Sequence, residues 1–425
     1  MSNKQKYIHN ETTVDAEAET IDRLAVSSRR WLVEDALPLW WSKGFDWQHG
    51  TWNESLDLEG VSTAENRRAR VQGRQTFTFA SLRGMGISGP WDVVVHAAFA
   101  GINSHYCDDG GLMRSLLSDK GRIVDSRNKL YDQTFLLLAL AKGRHIWHEA
   151  EAWALELLAS IKQQFHCENG IGFVENCDCH PYQSNAHMHL FEAALEWIEA
   201  CREDGISSKV WIDLAAEIFT LAQLRFIDKR RFLREFFDSN WRPARGKAGT
   251  IVEPGHQFEW AWLLARWSRL TNCRMSLELA ESLFLAGARG VDYSRGVAVN
   301  TLNDDLGKVT SDARLWPQTE WLKASLILFE ESEEFMRNFY LRHVMQAHSA
   351  LSRYLATPKA GLWYDKLDAN EEFASTPVPA SSMYHIVVAI AQLLETNRLT
   401  QLKNGKYPFG SANQLQRQPI EQMFL

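Results

Sequence analysis

The sequence predicts an all-α fold, an (α/α)6 barrel with short β pieces in the connecting loops, and three observations point to it. Apolar residues recur at helical spacing in twelve successive segments. No alternating strand pattern of comparable strength competes with them. The connections share a texture that returns every ~60 residues, at Trp52, Leu112, Phe173, Phe236, Tyr293 and Trp363, as expected of a repeated helical hairpin. Six such hairpins close naturally into a toroid.

The segments run in chain order through 17–40, 64–82, 90–106, 130–142, 149–165 and 186–201, then 209–226, 256–270, 274–287, 316–331, 334–355 and 382–396. A long helix precedes each decorated loop: Gly50-Thr51-Trp52, Gly110-Gly111-Leu112, Gly170-Ile171-Gly172-Phe173, Phe232-Leu233-Arg234-Glu235-Phe236, Gly290-Val291-Asp292-Tyr293 and Gly361-Leu362-Trp363-Tyr364. No composition shift or Pro/Ser-rich linker interrupts the pattern, so residues 1–425 read as a single catalytic domain. In such a toroid the inner-helix N-termini and the connections before them reach the mouth, and chemistry is expected there.

Composition narrows the function classes. Hydrophobic residues make up 45 % and charged residues 23 %, ample for a buried core and unlike a disordered chain. The net charge of -7 supplies no field for gathering nucleic-acid phosphates. The basic clusters Arg67/Arg68/Arg70 and Lys229/Arg230/Arg231 are too short to reverse that. The longest apolar run, Phe135 to Ala141, cannot span a bilayer, and the polar opening of the chain lacks a signal-peptide core. The expectation is a cytoplasmic protein that engages neither nucleic acid nor membrane. Its six cysteines fit reduced thiols. Cys177-Asp178-Cys179-His180 invites a metal reading but lacks the second ligand pair of a closed zinc site. Seventeen tryptophans suit either sugar stacking or a core rich in bulky rings. Oligomeric state is not encoded in these features.

Polar groups at helix starts carry the chemical signal. Glu253-Pro254-Gly255-His256-Gln257-Phe258-Glu259 opens a helix on Pro254 and sets His256 and Glu259 on one face, where a carboxylate orients an imidazole for acid/base work. Alone, that pair equally fits a structural hydrogen bond. Asn185-Ala186-His187-Met188-His189 puts Asn185 and His189 on one face with His187 pointing elsewhere. No third metal ligand of suitable spacing accompanies them, so hydrogen bonding to hydroxyls is the better functional reading, against a capped helix with one packed histidine. Ser381 or Ser382 caps the last helix, with His385 in its first turn. Arg74 is a cation inside an amphipathic segment, and Trp316 opens Trp316-Pro317-Gln318-Thr319-Glu320; a buried ion pair and a core ring are their bland alternatives.

In combination these motifs resemble the N-acylglucosamine 2-epimerase superfamily. The resemblance rests on Gly73-Arg74-Gln75, Tyr131-Asp132-Gln133, Asn185-Ala186-His187-Met188-His189, Pro254-Gly255-His256-Gln257-Phe258-Glu259-Trp260, Trp316-Pro317-Gln318-Thr319-Glu320 and Tyr384-His385, and covers most of the chain. The Leu130-Tyr131-Asp132-Gln133 run and the Pro379-Ala380-Ser381-Ser382-Met383-Tyr384-His385-Ile386 ending look like its bacterial mannose isomerase branch. The resemblance implies interconversion of D-mannose and D-fructose through a cis-enediol, with 2-epimerisation of an aldose or disaccharide as the alternative. It implies that His256 and His385 are the acid/base pair, that Glu259 tunes His256, and that Arg74 binds the oxygens on which charge develops. Tyr131, Asn185, His189 and Trp316 would hold a monosaccharide, with neither cofactor nor metal. Two classes stand further off. A glycoside hydrolase could cast Glu259 and Glu320 as its carboxylates but has no use for two placed histidines. A non-catalytic sugar-binding toroid has no reason to position them.

Overall fold

The computed structural model describes residues 3–167, 170–175 and 181–404. The Cys177–His180 motif lies outside the described residues. All twelve segments of helical periodicity fall on helices. The first is a continuous run, α1 (Asn3–Arg30) passing through a π turn (Trp31–Ala36) into α2 (Leu37–Lys43). The rest are α3 (Ala69–Ser81), α4 (Trp91–Gly101), α5 (Leu130–Gly143), α6 (Ala150–Phe165), α7 (Asn185–Asp204) and α8 (Lys209–Leu221), followed by α9 (Pro254–Thr271), α10 (Arg274–Ala288), α11 (Leu315–Glu331), α12 (Glu334–Leu355) and α13 (Ser381–Lys403).

Helices α3, α5, α7, α9, α11 and α13 each pack against the next in that order, and α13 packs back onto α3, closing a ring of six. Helices α4, α6, α8, α10, α12 and α1 back them from outside in the same order. The burial pattern explains the sorting. The inner helices are buried on nearly every face, as in α5, where Phe135 to Leu140 are all inaccessible. The outer helices carry one apolar stripe, as in α6 with Ala150, Ala154, Leu157, Leu158, Ile161 and Phe165. Close approach needs small residues: a Cβ on Gly73 would lie 2.6 Å from the Phe135 carbonyl carbon, so the α3–α5 packing excludes any larger side chain there.

The β pieces stitch the loops together at one end of the ring. Arg67–Arg68, just before α3, pairs with Arg114–Leu117 beyond α4; Tyr182–Gln183 before α7 pairs with Phe236–Phe237 beyond α8; Ala313–Arg314 before α11 pairs with Lys366–Leu367 beyond α12. Val378–Pro379 before α13 pairs with Ser55–Leu56 and joins the last repeat to the first.

A recurring side-chain clamp fixes the loop to its inner helix in five of the six repeats. Gln72 accepts the Trp52 N–H at 2.7 Å and donates to the Trp52 carbonyl at 2.9 Å. Gln133 does the same to Met113, Gln257 to Leu233 and Gln318 to Ala298, all between 2.7 and 3.0 Å. In α7 the imidazole of His187 takes this place, accepting the Phe173 N–H at 2.9 Å, which is why it turns away from Asn185 and His189. These clamped residues correct the landmarks of the sequence repeat at 112, 236 and 293 to Met113, Leu233 and Ala298. Two buried backbone groups depend on each amide, so Gln318→Met is expected to cost about 2–4 kcal/mol of stability while keeping side-chain volume. Denaturant unfolding checks this, and a loss below about 0.5 kcal/mol would show that the clamp is dispensable.

Candidate active site

Every residue picked out from the sequence lies within the first six positions of an inner helix, so the ring closure brings them to one end of the lumen. Tyr131 is second in α5, Asn185 first in α7, His256 third in α9 and Trp316 second in α11. Arg74, His189, Glu259, Glu320 and His385 lie fifth or sixth in their helices, roughly one turn deeper at a rise of about 1.5 Å per residue. The site therefore has an outer layer and an inner layer.

Trp316 stands between the two candidate acid/base histidines, its ring centroid 5.1 Å from that of His256 and 5.8 Å from that of His385. The indole reaches this position because α9 begins Pro-Gly: a Cβ at Gly255 would lie 2.3 Å from the Trp316 ring. Both imidazoles are nearly buried, His256 8 % and His385 6 % exposed.

Their surroundings differ in sign. His256 Nδ1 donates to Glu235 Oε2 at 2.8 Å and lies 3.6 Å from Glu253 Oε2. Burial alone would discharge this imidazole, but the Glu235 and Glu253 carboxylates outweigh it and push its pKa up to about 10. Here the sequence expectation fails: Glu259 is not the partner of His256 and acts on it only at a distance. A helical i,i+3 reading could only nominate a neighbour on the same helix, whereas Glu235 arrives from the preceding loop, 21 residues away.

His385 Nδ1 faces Glu320 Oε1 at 2.8 Å. Burial, reinforced by the positive charges of Arg74 and Lys323, holds its pKa well below the ordinary imidazole range. Burial and the nearby Glu259 carboxylate push Glu320 upward, while Lys323, its ammonium 2.6 Å from Glu320 Oε2, opposes them. Lys323 itself is fully buried, 4.1 Å above the Trp262 ring. One histidine is thus kept protonated and the other neutral at the same pH.

Glu259 instead belongs to the floor of the site. Its Oε1 lies 3.8 Å from His189 Nδ1 and has no hydrogen-bond partner. His189 Nδ1 is 3.0 Å from Glu192 Oε2, Glu192 accepts a hydrogen bond from the Tyr384 hydroxyl, and the His189 ring packs on Phe135 and Tyr131. His189 is consequently a buried member of the inner layer. Two groups here bring ligand atoms within 4.8 Å of one another, His189/Glu192/Glu259 and Glu259/Glu320/His385, and these are the described residues able to hold a cation. The Lys323 ammonium and the Tyr384 hydroxyl already engage the Glu320 and Glu192 oxygens.

Arg74 donates from Nη2 to the Tyr131 hydroxyl at 2.8 Å, and its guanidinium lies 4.2 Å from the Phe135 centroid and 5.2 Å from that of Tyr384. Three aromatic walls fix its direction, and its Nε is buried with no partner. Arg74, Tyr131 and Asn185 line a cavity of about 380 Å³ at the mouth, into which the unpartnered Asn185 Oδ1 brings an acceptor. Sequence reasoning missed Glu235, Glu192 and Lys323, and left Glu320 without its role as partner of His385. The signal for Glu235 was present: two residues beyond each clamped loop residue stands a polar side chain, Glu54, Ser115, Glu175, Glu235 and Asn300 in turn, and Asp365 takes the same place after Trp363 in the last repeat.

A helical ring that brings two oppositely tuned imidazoles and an arginine to its mouth can carry proton transfer, and its relatives place the chain among enzymes of carbohydrate isomerisation or epimerisation. The model of the N-acylglucosamine 2-epimerase (GlcNAc 2-epimerase) family matches residues 50–389, and the chain belongs to that family. It is 40 % identical over 369 residues to a mannose-6-phosphate isomerase of Rhizobium meliloti (strain 1021), covering 85 % of this chain and 95 % of the relative. It is 27 % identical over 376 residues to a D-mannose isomerase of Thermobifida fusca, covering 79 % and 88 %. Its fold matches that of cellobiose 2-epimerase from Spirochaeta thermophila DSM 6192 with a TM-score of 0.79 at 18 % identity, over 90 % of this chain and 98 % of that one.

With His256 as acid, pushed up to about 10, and His385 as base, held below the ordinary imidazole range, the assignment proposed below predicts a broad plateau of activity between them. The alkaline limb reports loss of the His256 proton. Glu235→Gln removes the largest attraction that retains that proton and is expected to lower the limb in kcat/KM by about one pH unit or more, whereas Glu259→Gln leaves it within about half a unit. A limb unmoved by Glu235→Gln would sink the assignment.

Proposed function

We propose that this enzyme interconverts an aldohexose of the mannose type with its 2-ketose through a cis-enediol, in the cytoplasm, on an (α/α)6 barrel formed by the closed double ring of helices. The observation that carries the reading is the pair of histidines flanking Trp316 with opposite charge preference. Divergent titration in one site is the mark of an assigned acid and an assigned base.

His256, charged by Glu235, protonates the ring oxygen, the bond from that oxygen to C1 breaks, and the anomeric hydroxyl proton returns to the imidazole as the C1 carbonyl forms. His385, neutral and with Nδ1 engaged by Glu320, uses its other ring nitrogen to remove the proton on C2. The enediol oxygens then carry developing charge, which the Arg74 guanidinium, held rigid by its aromatic neighbours, stabilises. Tyr131, Asn185 and Trp316 hold the sugar in the mouth, and His189 supports the floor beneath it. Return of the proton by His385 to C1 on the same face, with the hydroxyl proton passing from O2 to O1 as the C2 carbonyl forms, gives the ketose.

Both relatives named above are called isomerases, which favours this outcome. Epimerisation is the second reading, because delivery of a proton to C2 from the opposite face by His256 yields the 2-epimer, and a fold neighbour is a 2-epimerase. Reaction of D-mannose or its 6-phosphate in D₂O separates them. Ketose labelled at C1, diluted by direct transfer where His385 is shielded from water, is expected; the 2-epimer labelled at C2 without passage through ketose would overturn isomerisation.

His256→Ala and His385→Ala are each expected to lower kcat at least about 10²-fold in a folded protein. Arg74→Lys should also be severe, since a point charge cannot span two oxygens. Near-normal turnover by His385→Ala would remove it as the base. Nothing in this scheme needs a metal, so chelator treatment is expected to leave activity intact; chelator inactivation reversed by added zinc or manganese would instead assign a cation to the Glu259/Glu320/His385 group.

A further inference from the structure

The cavity at the mouth has a charge imbalance that a neutral sugar does not answer. Among the described residues four arginines line it, Arg68, Arg70, Arg74 and Arg314, against the single carboxylate Glu175. Burial pushes Glu175 up to about 7, so even that charge is partly lost at neutral pH. Arg68 is paired with Glu54. Arg70 and Arg314 are only loosely held: each reaches one carboxylate at 3.3 Å, Asp132 and Asp365 respectively, and both carboxylates are buried behind the cavity wall. A guanidinium has five N–H donors, so most of theirs remain unused, and Arg314 Nε is buried with no partner. Both also stand at the start of long inner helices, Arg70 second in α3 and Arg314 immediately before α11, where the helix ends add positive potential.

The charges are also segregated. Glu235, Glu253 and Glu320 crowd the two histidines, whereas the arginines occupy the cavity formed by the starts of α3, α5 and α7 and the loop before α7. Arg74 and Arg314 belong to both sides, lining the cavity while the charge of each depresses His385. A substrate with one anionic end would be oriented by this field, with its reacting carbons at the histidines and its charged end at Arg70 and Arg314.

We propose that the cavity binds a tetrahedral oxyanion, a phosphate or a sulfonate, carried by the hexose at the end remote from its reacting carbons, and that Arg70 and Arg314 are the specificity-determining residues. The proposal rests on the isomerase reading above and names its substrate class. Planar guanidiniums suit such an anion because each presents two parallel N–H groups to two oxygens.

The test is steady-state isomerisation of D-mannose, D-mannose 6-phosphate and a 6-sulfonated hexose by the wild type, Arg70→Gln and Arg314→Gln, with inorganic phosphate titrated calorimetrically into all three proteins. The expected result is a kcat/KM for an anionic sugar at least about 10²-fold above that for D-mannose. Each substitution should lower it about 10-fold or more through KM and leave D-mannose turnover within about 3-fold. The better of the two anionic sugars identifies phosphate or sulfonate as the natural group. Equal or better turnover of D-mannose, or losses of the same size on charged and neutral sugars, would overturn the proposal. Turnover of none of the sugars would count against the isomerase reading, and phosphate binding then decides this one: weakening of about 10-fold in the variants supports it, and absence of binding to the wild type overturns it.

Discussion

The architecture depends on a side-chain amide at the start of an inner helix that takes over the hydrogen bonds of one loop residue. A loop crossing the mouth of a helical ring has buried N–H and C=O groups with no strand or helix to satisfy them. Gln72, Gln133, Gln257 and Gln318 supply both a donor and an acceptor to one such residue each. The clamp also aims the next part of the loop, because two residues along an extended chain returns a side chain to the same face. Glu235 stands two beyond clamped Leu233, and this places its carboxylate against His256. Structural economy and chemical function thus share one device.

The buried charges on the floor have the opposite character, since they are costly wherever they are not paired. Glu192, Glu259 and Glu320 lie together in the lumen and are inaccessible or nearly so, with Lys323, His189 and the Tyr384 hydroxyl as their partners. Such an arrangement does little for stability. It fixes His385 in direction through Glu320 while burial, reinforced by Arg74 and Lys323, keeps it uncharged. His256, one layer higher, faces two carboxylates and, among the described residues, no cation at comparable range. Two identical side chains acquire opposite tasks from where their neighbours enter the ring.

The helices were legible because their signal is local. Period 3.6 locates all twelve segments, and the absence of strand alternation correctly leaves only short β pieces. The boundaries of several outer segments hide a change of geometry: α4 and α8 end in π turns, Ile102–Tyr106 and Ala222–Phe226, with no compositional mark. For the site, positions on helix starts were readable, as with Arg74, Tyr131, His256 and His385, but pairings were not. Glu259 sits on the same helix face as His256 in sequence terms, yet the loop carboxylate Glu235 wins because its clamp brings it within 2.8 Å. His385 and Glu320 are 65 residues apart on neighbouring inner helices, and no sequence period links them.

Closure of the ring is itself part of the chemistry. Arg74 lies on the first inner helix and His385 on the last, more than three hundred residues later, and they share a site because α13 packs against α3. The seam is made by few contacts of high quality: the pairing of Val378–Pro379 with Ser55–Leu56, the stack of Trp40 on Trp363 with centroids 4.7 Å apart, and the Trp40 indole N–H donated to the Gly361 carbonyl at 3.1 Å. Gly361 has a φ of +84°, and a Cβ there would lie 2.4 Å from the Asp35 carbonyl oxygen, so the seam tolerates no side chain at that turn. The tryptophans at this seam are therefore spent on holding the circle shut, whereas Trp316 is turned into the lumen between the two histidines. Abundance of one residue type thus conceals two uses, and the difference is set by whether the indole belongs to the end of an outer layer or to the first turn of an inner helix.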